Sequence, residues 1–281
     1  MRPTGAARIA GVVGDPIAHS LSPSLMSAWI EAAGLNAVYT PYRVAGEQAA
    51  EFFRALAASQ CAGLNVTLPH KQTALAVSDE ASAAARAIGA ANLLTFRDGR
   101  IHADNTDAAG FLNALKSSQV EPSRGPVLIL GAGGAARAIL YALVEAGAPE
   151  IRLSNRSRAN ARAMADDLAP GAQIHDWDRR DDALAGAALV VNATSLGLSG
   201  GEDLVFDWSR APADAVVADS VYKPLETGFL RDAAARGLKT IHGLGMLIGQ
   251  ARPSFEAFYG APPPESVEAA ALMVSLLEAA E

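Results

Sequence analysis

The sequence predicts an α/β fold in two domains, each built on a mostly parallel sheet, and three observations carry that reading. Short apolar runs alternate with alanine-rich stretches of helical length over residues 8–66, and the alternation resumes at residue 127. A polar, Pro/Gly-rich break, Glu121-Pro-Ser-Arg-Gly-Pro126, separates the two series. At 281 residues and 50% hydrophobic content, the chain suits two modest cores.

In chain order, residues 8–13 read as a strand, 24–33 as a helix, 37–44 as a strand, 46–58 as a helix and 63–66 as a strand. Strands joined through helices in this way lie parallel. Residues 91–96 and 101–103 flank Asp98-Gly99, a pair suited to a two-residue hairpin turn. A helix over 108–117 leads to the break. Beyond it, strands are expected at 127–130, 151–154, 189–192 and 216–219. Helices over 247–258 and 265–278 close the chain, with Ala261-Pro-Pro-Pro264 as a rigid corner between them.

The strand at 127–130 runs into Gly131-Ala132-Gly133-Gly134-Ala135-Ala136, a Gly-x-Gly-x-x-Ala turn opening a helix. Gly131 permits the tight turn, Gly133 lets backbone approach a pyrophosphate, and Ala136 allows close helix–strand packing. These features mark a Rossmann dinucleotide-binding domain. An NAD site places an acidic residue about 20 positions on, at the end of the second strand. Here that strand ends in Asn155-Arg156-Ser157-Arg158, with Arg162 a turn later. A guanidinium fork suits a 2′-phosphate that a carboxylate would repel, so NADP is the expected cofactor, with NAD as the alternative.

A net charge of −7 and the lack of a basic tract argue against nucleic acid or an anionic membrane as partner. No apolar run approaches the roughly 20 residues of a membrane span, and residues 1–10 contain no signal-like apolar core. A single cysteine, Cys61, cannot form an internal disulfide, which points to the cytoplasm. Histidines at 19, 70, 102, 175 and 242 show no metal-ligand spacing, so no metal is expected.

Polar residues cluster where the strands of the first domain end. Gly14-Asp-Pro-Ile-Ala-His-Ser20-Leu-Ser22-Pro23 sets two hydroxyls ahead of a helix, suited either to a carboxylate or to a plain helix cap. Asn65-Val-Thr67-Leu-Pro69-His-Lys71 aims a lysine past a proline turn, and Asp104-Asn105-Thr106-Asp107 is a polar knot opening the next helix.

These segments resemble the shikimate dehydrogenase family, and the resemblance covers nearly the whole chain. The family's Gly-x-Pro-Ile-x-His-Ser-x-Ser-Pro matches Gly14 to Pro23, its Asn-Val-Thr-x-Pro-x-Lys matches Asn65 to Lys71, and its Asn-Thr-Asp matches Asn105 to Asp107. The glycine turn, the Asn155-Arg156-Ser157 segment, Asn192-Ala-Thr194-Ser195-x-Gly197, Asp219-x-x-Tyr222-x-Pro224-x-x-Thr227 and Gly243-Leu-Gly-Met246-Leu-x-x-Gln250 also fit.

The resemblance implies a substrate-binding and catalytic domain over 1–107, a dinucleotide domain over 108–243, and C-terminal helices over 244–281 that return to the first domain. It implies reversible, NADP-dependent reduction of 3-dehydroshikimate to shikimate, a cyclic hydroxy acid, by a monomer or homodimer. Ser20, Ser22 and Tyr222 would hold the substrate carboxylate, and Thr67, Asn92 and Gln250 its ring hydroxyls. Lys71 would act as general acid and base with Asp107. On that mechanism alcohol oxidation needs a neutral Lys71 and speeds up at raised pH. Gly131, Ala132, Gly133, Gly134, Ala135, Asn155, Arg156, Ser157, Thr194, Ser195, Gly243 and Met246 would contact the cofactor.

Some positions depart from the family pattern. Leu93 follows Asn92 where the family has threonine, which opens quinate or an aminoshikimate analogue as alternative substrates. Met26-Ser27 replaces His-Asn, Ala103 replaces a glycine, and Asn160 stands where the phosphate segment often has a second basic residue. A protein that senses a metabolite without turnover is the reading from another class. The pairing of Lys71 with Asp107 argues against it.

Overall fold

The computed structural model describes residues 2–198 and 201–279. It forms two compact units, one of Met1–Thr106 with Gln250–Leu276, the other of Asp107–Gly249 with Leu277–Glu281.

The first unit contains β1 (Arg8–Gly14), α1 (Ser22–Ala32), β2 (Ala37–Arg43), α2 (Ala49–Ala57), β3 (Cys61–Val66), α3 (Lys71–Ala76), β4 (Glu80–Ala81), α4 (Ala83–Ile88), β5 (Leu93–Arg97) and β6 (Arg100–Asp104). Its sheet has the order β2-β1-β3-β5-β6-β4. β1 pairs parallel with β2 and β3, as the alternation predicts, while β5 runs antiparallel to both β3 and β6. The β5–β6 hairpin turns on Asp98 and Gly99 at φ 52 and 73, the double left-handed conformation that favours Asp-Gly there.

Strand alternation divides the side chains of this sheet. Leu64, Val66, Leu94 and Phe96 face Phe53 and the rest of α2 in one hydrophobic cluster. Gly63 belongs to the opposite face, where an added Cβ would lie 2.6 Å from the Phe258 ring. α3, β4 and α4 were not expected from the sequence. They are two to six residues long, too short for a periodic stripe to show. α4 nevertheless carries both of its boundary signals, Ser82 accepting from Ala85 N–H and Gly89 in the left-handed conformation.

The second unit contains α5 (Asp107–Ser117), β7 (Val127–Leu130), α6 (Gly134–Glu145), β8 (Ile151–Ser154), α7 (Arg158–Leu168), β9 (Gln173–His175), β10 (Leu189–Asn192), β11 (Val216–Asp219), α8 (Gly228–Ala235) and β12 (Lys239–Ile241). The sheet is parallel throughout, in the order β12-β11-β10-β7-β8-β9. That is the doubly wound Rossmann arrangement, in which the chain switches direction between β7 and β10 and leaves a crevice at the strand ends. β7, β10 and β11 are buried at every position, which explains their unbroken apolar runs. The sequence reading lacked β9 and β12, three-residue edge strands of mixed polarity.

α9 (Leu244–Tyr259) and α10 (Ala269–Glu278) close the chain. α10 starts four residues later than the periodicity suggests, because residues 265–268 form a turn after the prolines. From Gln250 onward α9 groups with the first unit, as does the chain up to Leu276. Phe255 meets Trp29 edge-on with ring centroids 5.6 Å apart, and Tyr259 Oη donates to Val38 O at 3.1 Å.

Candidate active site

Because β1 and β3 are parallel neighbours, the loops that follow them leave the same edge of the first sheet. Backbone bonds tie the loops together: Thr67 N–H donates to Val13 O at 2.9 Å, and Asp15 N–H to Leu68 O at 3.1 Å. A side chain at Gly14 would come within 2.5 Å of Thr67 Cγ2, so this closeness requires glycine. Ser20, Ser22, Thr67 and Lys71 are thereby brought to one edge. Asp15–Pro16 and Leu68–Pro69, one in each loop, are cis.

Ser22 is buried and Ser20 half-buried, with Ser20 Oγ accepting from Ser22 N–H at 3.3 Å. The residue capping α1 is Leu21, without a side-chain bond, so neither Ser22 nor Ser24 acts as the cap. Lys71 opens α3 and is half-buried. Its carbonyl accepts from Ala91 N–H at 2.9 Å, which fixes it against the segment leading to Asn92. His70, fully buried, anchors the same loop through Nε2–H donated to Val44 O at 2.8 Å; a carbonyl can only accept, so Nε2 carries the proton.

Asn92 and Gln250 meet in a buried network. Asn92 Nδ2 donates to Gln250 Oε1 at 3.4 Å and to Thr106 Oγ1 at 3.0 Å, while its Oδ1 accepts from Thr106 N–H at 2.7 Å. Thr106 Oγ1 also donates to the Gln250 carbonyl at 3.1 Å. A second chain reaches the same carbonyl: Tyr39 Oη donates to Asn65 Oδ1, Asn65 Nδ2 to Ser254 Oγ, and Ser254 Oγ to Gln250 O, at 2.8, 2.7 and 3.1 Å. Asn65 and Ser254 were not among the expected site residues, although both are buried polar groups in apolar surroundings. Asp107, also buried, is the first residue of α5.

Leu93 is buried in β5, paired with Asn65 on one side and Asp104 on the other, and it lines a groove with Ala257 and Thr95. Met26 and Ala103 are core residues, so these two departures act in packing, whereas Ser27 is exposed. Cys61 is likewise buried, and burial pushes its thiol pKa up.

In the second unit Gly131 has φ 114, and a Cβ there would come within 2.8 Å of Ala193 O. Gly133 caps α6 without a side-chain bond, and a Cβ on it would meet nothing within 4 Å. The N–H groups of the first turn of α6 therefore point past an open glycine, a cradle suited to a pyrophosphate. At the end of β8, Asn155 Nδ2 donates to Ser157 O at 2.9 Å, and Ser157 caps α7 by accepting from Asn160 N–H. Arg158 is paired with Asp176, whereas Arg156 and Arg162 are exposed and make no ion pair among the described residues. A glycine cradle followed by unpaired guanidinium groups, with no acid at the strand end, fits NADP.

β10 and β11 end in Asn192 and Asp219, paired in register. Asn192 Oδ1 accepts from Thr194 N–H and Oγ1 at 3.0 and 2.7 Å, which shapes the loop carrying Thr194 and Ser195. Asp219 Oδ1 accepts from Asn192 Nδ2 at 2.9 Å and Val221 N–H at 2.8 Å, and Oδ2 from Thr227 Oγ1 at 2.7 Å. Burial raises the Asp219 pKa to about 6 against the lowering effect of those three bonds. The half-buried Tyr222 follows directly. At Gly243 a Cβ would come within 2.6 Å of Ser220 O and Val221 O, and Met246 is buried in the first turn of α9. Among the described residues, no group of three His, Cys, Asp or Glu could hold a metal, and no helix is long and apolar enough to cross a membrane.

Comparison with known proteins bears on both units. Residues 12–94 match the model of the shikimate dehydrogenase substrate binding domain, and residues 114–198 that of shikimate / quinate 5-dehydrogenase. Shikimate dehydrogenase (NADP(+)) of Maricaulis maris is 54% identical over 265 residues, which is 94% of this chain and 95% of the relative. Its counterpart in Caulobacter vibrioides is 47% identical over 98% of this chain and 97% of its own length. The crystal structure of shikimate 5-dehydrogenase from Thermus thermophilus in complex with NADP(H) and shikimate superposes with a TM-score of 0.84 at 36% identity, over 97% of this chain and 99% of that one.

Proposed function

The chain belongs to the shikimate dehydrogenase family, and from that premise we propose how its own residues carry the reaction. The activity is the reversible, NADP-dependent reduction of 3-dehydroshikimate to shikimate, an oxidoreduction at a CH–OH group. When bound, NADPH supplies the hydride. As the ring carbonyl becomes an alkoxide, Lys71 delivers the proton to its oxygen, and the Asp107 carboxylate orients Lys71 and accepts a bond from the neighbouring hydroxyl. Ser20 and Ser22, with Tyr222, hold the carboxylate. Thr67, Asn92 and Gln250 bond the ring hydroxyls, so an analogue lacking one leaves a buried polar group unpaired.

In the cofactor unit, Gly131 to Ala135 receive the pyrophosphate, and Asn155, Arg156 and Ser157 the 2′-phosphate. Thr194, Ser195, Gly243 and Met246 line the nicotinamide end. Residues 1–107 with the C-terminal helices make up the substrate domain and 108–243 the dinucleotide domain. We also place the chain in the cytoplasm, as a monomer or homodimer.

The observation that carries this reading is the joining of the two strand-end loops, which brings three hydroxyl side chains and a half-buried lysine to one sheet edge. Its test is the initial rate on shikimate and on quinate, each with NADP and NAD, for the wild type and Lys71→Ala. The expected result is preference for shikimate with NADP, and a kcat lowered about 10²- to 10⁴-fold by the substitution with the shikimate KM little changed. Undiminished turnover in Lys71→Ala would remove the lysine from the mechanism.

A further inference from the structure

Three segments of the second unit converge on Asp219. Its carboxylate can only accept, so the Asn192 amide must turn Nδ2 toward it, and the same Nδ2 donates to Leu196 O at 3.1 Å. That choice of face leaves Asn192 Oδ1 free to take both donors of Thr194, whose hydroxyl in turn accepts from Leu196 N–H at 3.0 Å. The bond from Val221 N–H fixes the turn into Tyr222. The bond from Thr227 fixes the start of α8, where the same hydroxyl accepts from Leu230 N–H.

We propose that Asp219 is a positioning residue for the cofactor: its carboxylate sets the orientation of the Asn192 amide and thereby holds the loop of Thr194 and Ser195 in its binding geometry. The inference rests on the reading that this loop contacts NADP. A brace serving stability alone could be built from neutral groups, yet this carboxylate is only 3% exposed. Burial drives its pKa up, and the ionisable group that favours its charge is His242 at the end of β12, itself held by Nδ1–H donated to Leu225 O at 2.7 Å.

The test is Asp219→Asn, which keeps the shape and removes both the charge and the purely accepting character. The dissociation constant of NADPH, read by its fluorescence, and the KM for NADP are each expected to rise about tenfold, while the melting temperature stays at or above that of the wild type. A lower melting temperature with unchanged cofactor affinity would mark Asp219 as a structural brace and overturn the proposal. If Asp219→Asn does not fold, Thr227→Val decides, since it withdraws one donor and leaves the other two. A cofactor KM raised about threefold, restored by Thr227→Ser, supports positioning, and an unchanged KM overturns it. NADPH affinity is measured without substrate, so a wild type that binds NADPH but does not turn over shikimate would fail the catalytic reading alone.

Discussion

Arg156 and Arg158 stand two positions apart, and their surroundings give them different work. Arg158 is neutralised by Asp176, whereas Arg156 presents its guanidinium without a carboxylate partner among the described residues. A charge-assisted, bidentate bond to a phosphate contributes about 1.5–3 kcal/mol, or about 10- to 100-fold in affinity. Arg156→Ala is therefore expected to raise the KM for NADP by about that factor and to leave the KM for NAD nearly unchanged. Arg158→Ala should alter neither by more than about twofold, because an exposed pair contributes little. Steady-state kinetics with both cofactors checks the two together, and equal losses with NAD and NADP would show that Arg156 does not read the phosphate. The sequence showed a basic segment where an acid was due. The family resemblance singled out Arg156, but the pairing that neutralises Arg158 was not legible, since Asp176 lies 18 positions away, just after the unexpected strand β9.

At the scale of elements, strand ends decide where polar groups go, and β11 shows what that costs. Val216, Val217 and Ala218 are buried, and so is the Asp219 that follows them. Its folded pKa, about 6, lies above the ordinary carboxylate value of 3.8, so the folded state binds this proton more tightly than the unfolded chain does. The resulting stability is fully present below about pH 4 and is lost as the pH rises through about 6. The difference of roughly two pKa units corresponds to about 3 kcal/mol at most. Urea titrations between pH 4 and pH 7.5 should show the wild type losing stability relative to Asp219→Asn over that window; parallel curves would mean that the carboxylate is not strained by burial. Strands buried on both faces were legible as apolar runs, and 127–130, 151–154, 189–192 and 216–219 coincide with β7, β8, β10 and β11. The bond network at their ends was not legible, because sheet register brings Asn192 to Asp219 across 27 residues of chain, a distance that local periodicity does not span, and Thr227 joins them from the start of α8.

Across the whole molecule, the last part of the chain completes the first unit, and an argument from burial says how much depends on it. Phe255 and Phe258 are fully buried, Phe258 over Gly63 of β3 and Phe255 against Trp29 of α1. Ser254 Oγ accepts from Asn65 Nδ2, which otherwise donates only the longer bond to Asn92 O at 3.4 Å, so removing it leaves one buried N–H unmatched. Each large side chain contributes about 1.5–3 kcal/mol and the unmatched N–H costs about 1–3 kcal/mol, together about 4–9 kcal/mol against the 5–15 kcal/mol by which a typical domain is stable. A chain ending at Gly243 is therefore expected to lose the first unit's fold and, with it, shikimate binding. The second unit keeps the cluster of Leu128, Val190, Val217 and Phe229, which among the described residues contains none beyond Leu238. Hydrogen exchange on the truncated chain should show β1 and β3 amides exchanging freely while β7 and β10 stay protected. Protection retained in β1 and β3 would mean that the first sheet is stable without α9, and that the helix serves chiefly to present Gln250 to the substrate.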